Sequence, residues 1–253
     1  MKCKVLSATP IVTFSILFSS VATSGKACRE HNLMRVIAFA ILILVGTAGA
    51  SPFAYIANYN STNISVIDTA TDKVTATLTA GSNTYEVAVT PDGTKAYVTN
   101  CNDEGSVFVI DTDTNKVIDI IKVGSNPIGV AVNPNGTKVY VANYGSNTIS
   151  VIDTITNKVI ATVPVESDPN GVAVSPDGNK VYVVNSGGDS TNFTGTVSVI
   201  DTATNNVAAI INVGNNSLGI VVSPDGKKVY VMNSNIYPDS EGTISVIDTA
   251  TNT

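Results

Sequence analysis

A segment of the form Tyr-x-x-Asn recurs five times in this chain, and Val-Ile-Asp-Thr follows each copy. The tyrosines are spaced 42, 43, 42 and 48 residues apart and are Tyr55, Tyr97, Tyr140, Tyr182 and Tyr230. A unit of this length buries its apolar faces only by stacking on neighbouring units. The spacing therefore predicts a repeat architecture, on which any function has to be built.

One repeat, residues 129–165, shows how each unit is expected to fold. It contains four short runs rich in valine, isoleucine, tyrosine and threonine, named A, B, C and D here, and turn residues separate them. Such runs are typical of β-strands. Pro-Asn-Gly between A and B, and an Asp-Thr segment between C and D, predict tight hairpins. Four antiparallel strands in about 40 residues indicate one blade of a β-propeller.

The order of the runs predicts incomplete units at both ends. Residues 54–80 supply B, C and D, three full units follow, and A, B and C precede Thr253. We therefore expect an all-β propeller of four-stranded antiparallel blades, with three full blades and two partial ones, that is a truncated part of a larger ring. The alternative is an open array of about five blades that associates with another chain through its exposed strand edges.

Three linked motifs give the chain a resemblance to a known family. Tyr-Val-x-Asn, Val-Ile-Asp-Thr and Pro-Asp-Gly-x-Lys-Val-Tyr-Val recur across residues 54–253, and together they resemble the YVTN-type β-propeller repeat proteins. Many of these are similar to archaeal or bacterial surface-layer and secreted proteins. The resemblance implies a ring of about seven blades and a place outside the cell, and it implies no single activity.

The first 50 residues differ from the rest of the chain. Met34-Arg35 precedes an apolar run, and the small residues that end at Ala50 follow it. This layout predicts a signal peptide over 34–50 that is cleaved after Ala50, with the propeller domain over 51–253. Residues 1–33 are interpreted as an extra extension or a mis-assigned start. The prediction is a secreted or cell-surface protein with no membrane span beyond the signal segment; the alternative is an uncleaved N-terminal anchor.

Charge and residue content exclude several classes of function. Residues 51–253 contain nine lysines, no arginine and nineteen acids, a net charge of −10, which argues against nucleic-acid binding. His31 precedes the predicted cut, so we expect neither histidine-dependent nucleophilic catalysis nor a histidine–cysteine zinc site in the domain. Cys3 and Cys28 also precede the cut, which predicts that Cys101 forms no intrachain disulfide and is a buried or loop thiol; the alternative is that it pairs with another chain.

Two polar positions recur in every repeat and are interpreted as structural. One aspartate begins each C-to-D hairpin, where its side chain can bond the turn backbone: Asp68, Asp111, Asp153, Asp201 and Asp248. One asparagine ends each B strand, where it can satisfy backbone groups: Asn58, Asn100, Asn143, Asn185 and Asn233.

The B-to-C loops vary most between repeats, and loops on a rigid scaffold are the usual place for binding. They are expected to share one face with the D-to-A loops, which hold Asn83, Asn126, Asp168 and Asn216. The candidate partner-binding residues on this face are Tyr59, Asn102, Asp189, Phe193, Tyr237 and Asp239. The alternative is that these loops are solvated connections that tolerate insertion.

Two further hypotheses concern the same loops. Calcium prefers oxygen ligands, and the candidates are Asp103, Glu104, Asp189, Asp239 and Glu241. Asn-x-Ser/Thr sequences in an exported protein suggest glycosylation, with candidates at Asn60, Asn63, Asn135, Asn192 and Asn215.

The preferred function from sequence is a non-catalytic envelope or adhesion module that binds protein or glycan at the cell surface, with no cofactor except possible calcium. The alternative is a propeller enzyme that resembles lactonases or quinone-cofactor dehydrogenases. Such sites normally gather acids with arginine or histidine, and residues 51–253 contain neither.

Overall fold

The computed structural model describes residues 53–59, 61–187, 194–234 and 241–253. Within these ranges the chain forms eighteen β-strands and one short 3-10 helix, Tyr144–Ser146. The strands are β1 (Phe53–Ala57), β2 (Asn63–Asp68), β3 (Lys73–Thr79), β4 (Thr84–Val89), β5 (Lys95–Asn100), β6 (Ser106–Asp111), β7 (Lys116–Lys122), β8 (Pro127–Val132), β9 (Lys138–Asn143), β10 (Thr148–Asp153), β11 (Lys158–Pro164), β12 (Pro169–Val174), β13 (Lys180–Asn185), β14 (Thr194–Asp201), β15 (Asn206–Asn215), β16 (Ser217–Val222), β17 (Lys228–Asn233) and β18 (Thr243–Asp248). The predicted extension and signal peptide, with the cleavage after Ala50, lie outside the described residues.

Consecutive strands pair antiparallel and form five separate sheets. Three sheets have four strands, β4–β7, β8–β11 and β12–β15, and they lie between the three-stranded sheets β1–β3 and β16–β18. We number them sheets 1 to 5 in chain order. The predicted all-β fold, with three full blades between two partial ones, is confirmed.

Aspartate side chains accept hydrogen bonds within the C-to-D hairpins that the sequence predicts. Asp111 Oδ1 accepts hydrogen bonds from Thr114 N at 2.8 Å and Thr114 Oγ1 at 2.6 Å. Asp153 and Asp201 accept the same pair of bonds from the threonine three residues later. The A-to-B turns need a residue that tolerates positive φ, and Gly93 supplies it at 73°. Local contacts therefore support both hairpin types.

The hydrophobic core lies between neighbouring sheets. Tyr140, Ile149 and Val151 of sheet 3 are fully buried against Val181 and Val183 of sheet 4. The same arrangement recurs at the other three junctions. Each buried aliphatic side chain contributes about 1.5 to 3 kcal/mol, so the stacking of sheets stabilises the fold, as the repeat period predicts.

A polar contact also crosses the junctions near the hairpin end of the sheets. The lysine that begins a B strand donates from Nζ to the carbonyl oxygen of the threonine in the C-to-D hairpin of the next sheet. These pairs are Lys95 to Thr154 at 2.6 Å, Lys138 to Thr202 at 3.1 Å and Lys180 to Thr249 at 3.0 Å. We call this contact the lysine clasp.

The A strands lie innermost and follow one another around a common centre, because β4 contacts β8, β8 contacts β12 and β12 contacts β16. At one end of the sheets, each B-to-C loop bonds the preceding D-to-A loop through backbone atoms. The bonds run from Cys101 N to Asn83 O, Tyr144 N to Asn126 O, Ser186 N to Asp168 O and Ser234 N to Asn216 O. Radial sheets with innermost A strands define a partial β-propeller, and its loop face carries both loop types.

Sheet 5 exposes side chains that are buried at the same repeat position elsewhere. Tyr230, Ile244 and Val246 are 39%, 68% and 49% exposed. Their counterparts Tyr182, Val197 and Val199 in sheet 4 are at most 1% exposed, because sheet 5 covers them. In the described ranges, no helix has the length and apolar character to span a membrane.

Candidate functional site

Because the repeats are alike, a residue that departs from its counterparts is a candidate for function. Glu86 is such a residue, since glycine occupies the equivalent place in the other A strands, at Gly129, Gly171 and Gly219. Thr99 is a second, because its counterparts in the other B strands are apolar: Ala57, Ala142, Val184 and Met232. These two departures lie on neighbouring strands of sheet 2.

Glu86 is buried between the innermost strands of sheets 2 and 3. It is 8% exposed, and its Oε2 accepts a hydrogen bond from Val130 N on β8 at 3.0 Å. Thr99 Oγ1 accepts from Glu86 N at 3.0 Å and donates to Ile128 O at 2.8 Å. Burial raises the pKa of Glu86 to about 7, although the Val130 N–H acts in the opposite direction. The carboxyl therefore titrates near neutral pH.

The glycines at the other junctions show what Glu86 changes. A Cβ on Gly129 would lie 2.1 Å from Asn170 O, and one on Gly171 would lie 2.8 Å from Leu218 O. At those junctions, backbone atoms of the next A strand occupy the space that a side chain in place of the glycine would need. Between β4 and β8 that space holds the Glu86 side chain, so this junction is built differently.

Tyrosines surround the loop end of β4. The rings of Tyr59 and Tyr85 meet edge to face, with centroids 5.7 Å apart and an interplanar angle of 78°. Burial, with the nearby Glu86 carboxyl and Tyr59, raises the pKa of Tyr85 to about 12. Tyr144, on the B-to-C loop of sheet 3, has a pKa raised by burial, by Asp168 and by Tyr85. The three tyrosines therefore come from three successive sheets.

Asp168 completes this group from the loop between sheets 3 and 4. Its φ of 58° lies in the left-handed region, where the other D-to-A loops have asparagine at Asn83, Asn126 and Asn216. The side chain is partly buried. Burial raises the pKa of the Asp168 carboxyl, and the interaction with the Tyr144 hydroxyl opposes that effect. We call Tyr59, Tyr85, Glu86, Tyr144 and Asp168 the tyrosine–carboxylate cluster.

The candidate binding residues from sequence have different locations. Tyr59 belongs to the cluster. The Asn102 carbonyl accepts hydrogen bonds from Gly105 N at 3.0 Å and Asn126 N at 2.8 Å, while its buried Oδ1 accepts none. Asn102 thus supports the loop backbone. Asp189, Phe193, Tyr237 and Asp239 lie outside the described residues.

The calcium candidates within the described residues are exposed. Glu104 lies 4.0 Å from Lys122, with both side chains more than 80% exposed, and Asp103 and Glu241 are exposed as well. No group of three or more histidine, cysteine, aspartate or glutamate side chains that could hold a metal occurs in the described part of the chain. Asp189 and Asp239 fall outside that part, so calcium remains a prediction.

The glycosylation candidates divide by exposure. Asn135 and Asn215 are exposed. Asn63 is partly buried, and its Oδ1 accepts hydrogen bonds from Asn58 Nδ2 at 2.7 Å and Ser61 Oγ at 3.2 Å. Asn60 and Asn192 lie outside the described residues. Exposure leaves Asn135 and Asn215 open to modification, which remains a prediction.

The asparagines that end the B strands bond the neighbouring C strand. Asn143 Nδ2 donates to Thr148 Oγ1 at 3.0 Å and Ser150 Oγ at 2.9 Å, and Asn185 and Asn233 repeat this pattern with their own C strands. Cys101 is fully buried, but the expectation of a lone thiol is wrong because Cys101 is disulfide-bonded.

The sequence analysis did not single out Tyr85, Glu86 or Tyr144 as site residues, and it placed Asp168 only on the loop face. An alignment of the repeats with one another points to two of these residues, because Glu86 stands where other repeats have glycine and Asp168 stands where they have asparagine.

The fold and the loop face define a β-propeller with a polar, aromatic group near its centre. A family model described as lactonase, 7-bladed β-propeller matches residues 53–190, more than half of the chain. The chain belongs to this family. No curated protein matches it.

Two solved structures are similar to this chain. Hydrazine synthase of Kuenenia stuttgartiensis has a TM-score of 0.72 and 29% identity, over 78% of this chain and 60% of that one. A functionally unknown protein from Desulfotomaculum acetoxidans has a TM-score of 0.65 and 22% identity, over 83% of this chain and 66% of that one, which supports the fold alone. This chain therefore spans less than two thirds of either relative.

Proposed function

We propose that this chain is part of a lactonase-type hydrolase and that the tyrosine–carboxylate cluster is its substrate site. The family membership supports a cyclic ester as substrate. The observation that carries the proposal is a partly buried carboxyl on the loop face: Asp168 replaces the asparagine of the other D-to-A loops, burial raises its pKa, and the Tyr144 hydroxyl opposes that shift. A partly buried carboxylate with a raised pKa is a stronger base than a solvated one, and proton transfer by such a group is a common source of catalysis.

The proposed reaction uses only groups of this chain and water. Asp168 accepts a proton from a water molecule while the water oxygen bonds to the lactone carbonyl carbon. The ring C–O bond then breaks, and Asp168 returns the proton to the departing ring oxygen, which gives a hydroxy acid. The Tyr144 hydroxyl orients Asp168, and the Tyr85 hydroxyl is a candidate donor to the carbonyl oxygen as negative charge develops there.

The test is hydrolysis of simple γ- and δ-lactones by the full chain, followed in a pH-stat. Asp168→Asn is the informative variant, because asparagine adopts the same positive φ in the other D-to-A loops. We expect it to fold and to lose about 100-fold or more in kcat/KM. Asp225→Asn, in an exposed A-to-B turn, is the matched control and should retain activity. Equal activity of Asp168→Asn and the parent would contradict the proposal.

The second candidate is the non-catalytic, exported surface module of the YVTN type. The lack of histidine and arginine in residues 51–253 favours it, because many hydrolytic sites use those residues. An exposed loop face with tyrosines also suits protein or glycan binding, since aromatic side chains supply large contact areas. Saturable binding of a glycan or protein without lactone turnover would favour this candidate, and secretion of the native protein would support its location.

A further inference from the structure

The A-to-B turn of sheet 3 differs from the other A-to-B turns in the residue before its glycine. Asn135 occupies this place, where the other repeats have aspartate at Asp92, Asp177 and Asp225. Asn135 is exposed, and Gly136, which follows it, has a φ of 73° in the left-handed region. In this turn, therefore, an amide rather than a carboxylate precedes the glycine.

An asparagine that is followed by glycine can lose its side-chain amide to the chain itself. The backbone nitrogen of the glycine attacks the amide carbon Cγ, and a glycine has no side chain to hinder that approach. The chain contains two such sequences, Asn135-Gly136 and Asn170-Gly171. Because their surroundings differ, the fold decides which of them reacts.

Two donors contact the amide oxygen of Asn135. Its Oδ1 accepts hydrogen bonds from Thr137 N at 3.1 Å and from Thr137 Oγ1 at 2.7 Å. When a nucleophile adds to Cγ, negative charge develops on this oxygen, and donors at such distances stabilise that charge. The contacts that shape the turn therefore also activate the Asn135 amide toward attack.

The attacking nitrogen has to leave its own hydrogen-bond partner first. Gly136 N donates to Asn133 O at 2.9 Å, and this bond must open before the nitrogen reaches Cγ. Hydrogen bonds of an exposed turn open at a lower cost than those of a packed sheet. Asn135 and Thr137 are both exposed, so water also reaches the amide. The hydrogen bond therefore slows the reaction at this turn but does not prevent it.

The second Asn-Gly sequence is enclosed between sheets. Asn170 is 7% exposed and lies in β12, one of the innermost strands. A Cβ on Gly171 would lie 2.8 Å from Leu218 O, and a Cβ on Gly129 would lie 2.1 Å from Asn170 O. The backbone around Asn170 is thus in close contact with both neighbouring A strands. It cannot rotate to bring Gly171 N onto Cγ while the sheets stay packed.

We propose that Asn135 is a site of spontaneous deamidation, in which Gly136 N displaces the side-chain amide. The nitrogen bonds to Cγ and gives up its proton, the Cγ–Nδ2 bond breaks, and ammonia leaves with that proton. Water then opens the cyclic imide: opening at Cγ gives aspartate, and opening at the main-chain carbonyl carbon gives isoaspartate. The reaction consumes one water, releases one ammonia and uses no other reactant. It is independent of the proposed lactonase function, because the A-to-B turns lie at the opposite end of the sheets from the loop face.

The aspartate product fits this turn, because the other repeats already carry aspartate there. Asp92 Oδ1 accepts hydrogen bonds from Thr94 N at 3.1 Å and Thr94 Oγ1 at 3.0 Å, which is the pattern seen at Asn135. Asp177 and Asp225 also accept a bond from the backbone nitrogen two residues later. Isoaspartate places an extra carbon in the main chain and loses this pattern. We therefore expect the folded protein to tolerate the aspartate form, which adds one negative charge to the domain.

The first experiment incubates the folded full chain at mildly alkaline pH in heavy-oxygen water and follows it by peptide mass mapping. The oxygen that enters on deamidation comes from water, so the label identifies the reacting residue. The same chain in urea is the comparison, because unfolding exposes both Asn-Gly sequences. Since Asn135-Gly136-Thr137 is also a glycosylation sequence, the protein is produced in a host without N-glycosylation.

We expect the folded protein to take up the label at Asn135 at least about tenfold faster than at Asn170, because only the turn opens readily. The unfolded chain should react at both residues at similar rates. Equal rates at the two residues in the folded protein would overturn the proposal. So would a folded protein in which Asn135 does not react while the unfolded chain does.

Variants of the turn test its contacts. Asn135→Asp copies the product; it should coelute on anion exchange with the aspartate form of the aged parent and unfold at the same urea concentration as the parent. Thr137→Val removes the Oγ1 donor and should slow deamidation by about fivefold or more, whereas Thr137→Ser keeps the donor and should react within about twofold of the parent. Circular dichroism checks that each variant is folded. A folded Thr137→Val protein that deamidates at the parent rate would contradict the activation of the amide by Thr137.

Discussion

The Lys95 side chain of sheet 2 reaches across a blade junction and donates from Nζ to the carbonyl oxygen of Thr154 in sheet 3, at 2.6 Å. The same Nζ also donates to Asn157 Oδ1 at 3.3 Å. The contact ties a strand of one repeat to a hairpin of the next, and it recurs at Lys138 and Lys180. The lysine that begins a B strand therefore helps to hold neighbouring blades together.

Lys95→Met should destabilise the protein by about 1 to 2 kcal/mol, because it removes a charge-assisted hydrogen bond to a backbone oxygen that is partly shielded from water. Urea denaturation measures the change. Lys116→Met is the matched control, since Lys116 begins a strand but is exposed, and its effect should be near zero. Equal effects of the two substitutions would show that the lysine clasp contributes no stability.

Two equivalent tyrosines should respond differently to loss of the hydroxyl. Tyr55 donates to Asn115 Oδ1 at 2.7 Å, whereas the buried Tyr140 hydroxyl has no hydrogen-bond partner among the residues that the structure describes. Tyr55→Phe should cost about 1 kcal/mol, and Tyr140→Phe should be neutral or stabilising because it removes an unsatisfied buried polar group. Thermal or urea denaturation of both variants provides the comparison. A larger loss at Tyr140 than at Tyr55 would contradict this account.

The stability of the protein should fall between about pH 4.5 and pH 7 because of Glu86. Its pKa is raised from 4.5 to about 7 in the folded protein, so the unfolded chain ionises first and gains stability relative to the folded state over this interval. The contribution is fully present below pH 4.5 and is lost above pH 7. The size is roughly 3 kcal/mol, from about 1.4 kcal/mol per pKa unit.

Glu86→Gln tests this dependence, because glutamine keeps a hydrogen-bond acceptor for Val130 N and does not ionise. The free energy of unfolding of the parent and the variant should be measured at pH 4 and pH 8. The difference between them should grow in favour of the variant at pH 8. A difference that does not change with pH would mean that Glu86 is not the titrating group.

Gly129→Ala should be strongly destabilising, by more than about 2 kcal/mol, because the new Cβ would lie 2.1 Å from Asn170 O and the backbone would have to shift. Ser167→Ala, in an exposed loop, is the control and should change stability little. Chemical denaturation of both variants is the measurement. A stable Gly129→Ala protein would show that adjacent A strands can separate without cost.

Much of the fold followed from local patterns. Alternating valine, isoleucine and tyrosine defined the strands, and Pro-Asp-Gly and Asp-Thr segments defined the hairpins, because both depend on residues close in sequence. The order of the predicted strands along residues 54–253 then gave three full blades and two partial ones. The disulfide at Cys101 was not predicted, because neighbouring residues and spacing along the chain carry no signal for it.

The candidate site was harder to predict because its residues come from different blades. Glu86 and Asp168 depart from the repeat at separate positions, and sequence spacing does not say that both belong to one group with Tyr59, Tyr85 and Tyr144. The loop face was the expected place for binding, and Tyr59 does lie there. Four of the predicted partner residues fall outside the described part of the chain, so their role remains a prediction.

The repeat, the strands, the turns and the charge of the domain follow from residue types and from short distances along the chain. Only the three-dimensional arrangement shows that the Glu86 carboxyl fills the junction between β4 and β8 and that the ring of Tyr59 packs against that of Tyr85. Those contacts join different blades, and the radial stacking of the sheets brings them together. Burial at that junction then raises the pKa of Glu86 toward neutrality, an effect that depends on the surroundings of the side chain and not on its place in the repeat.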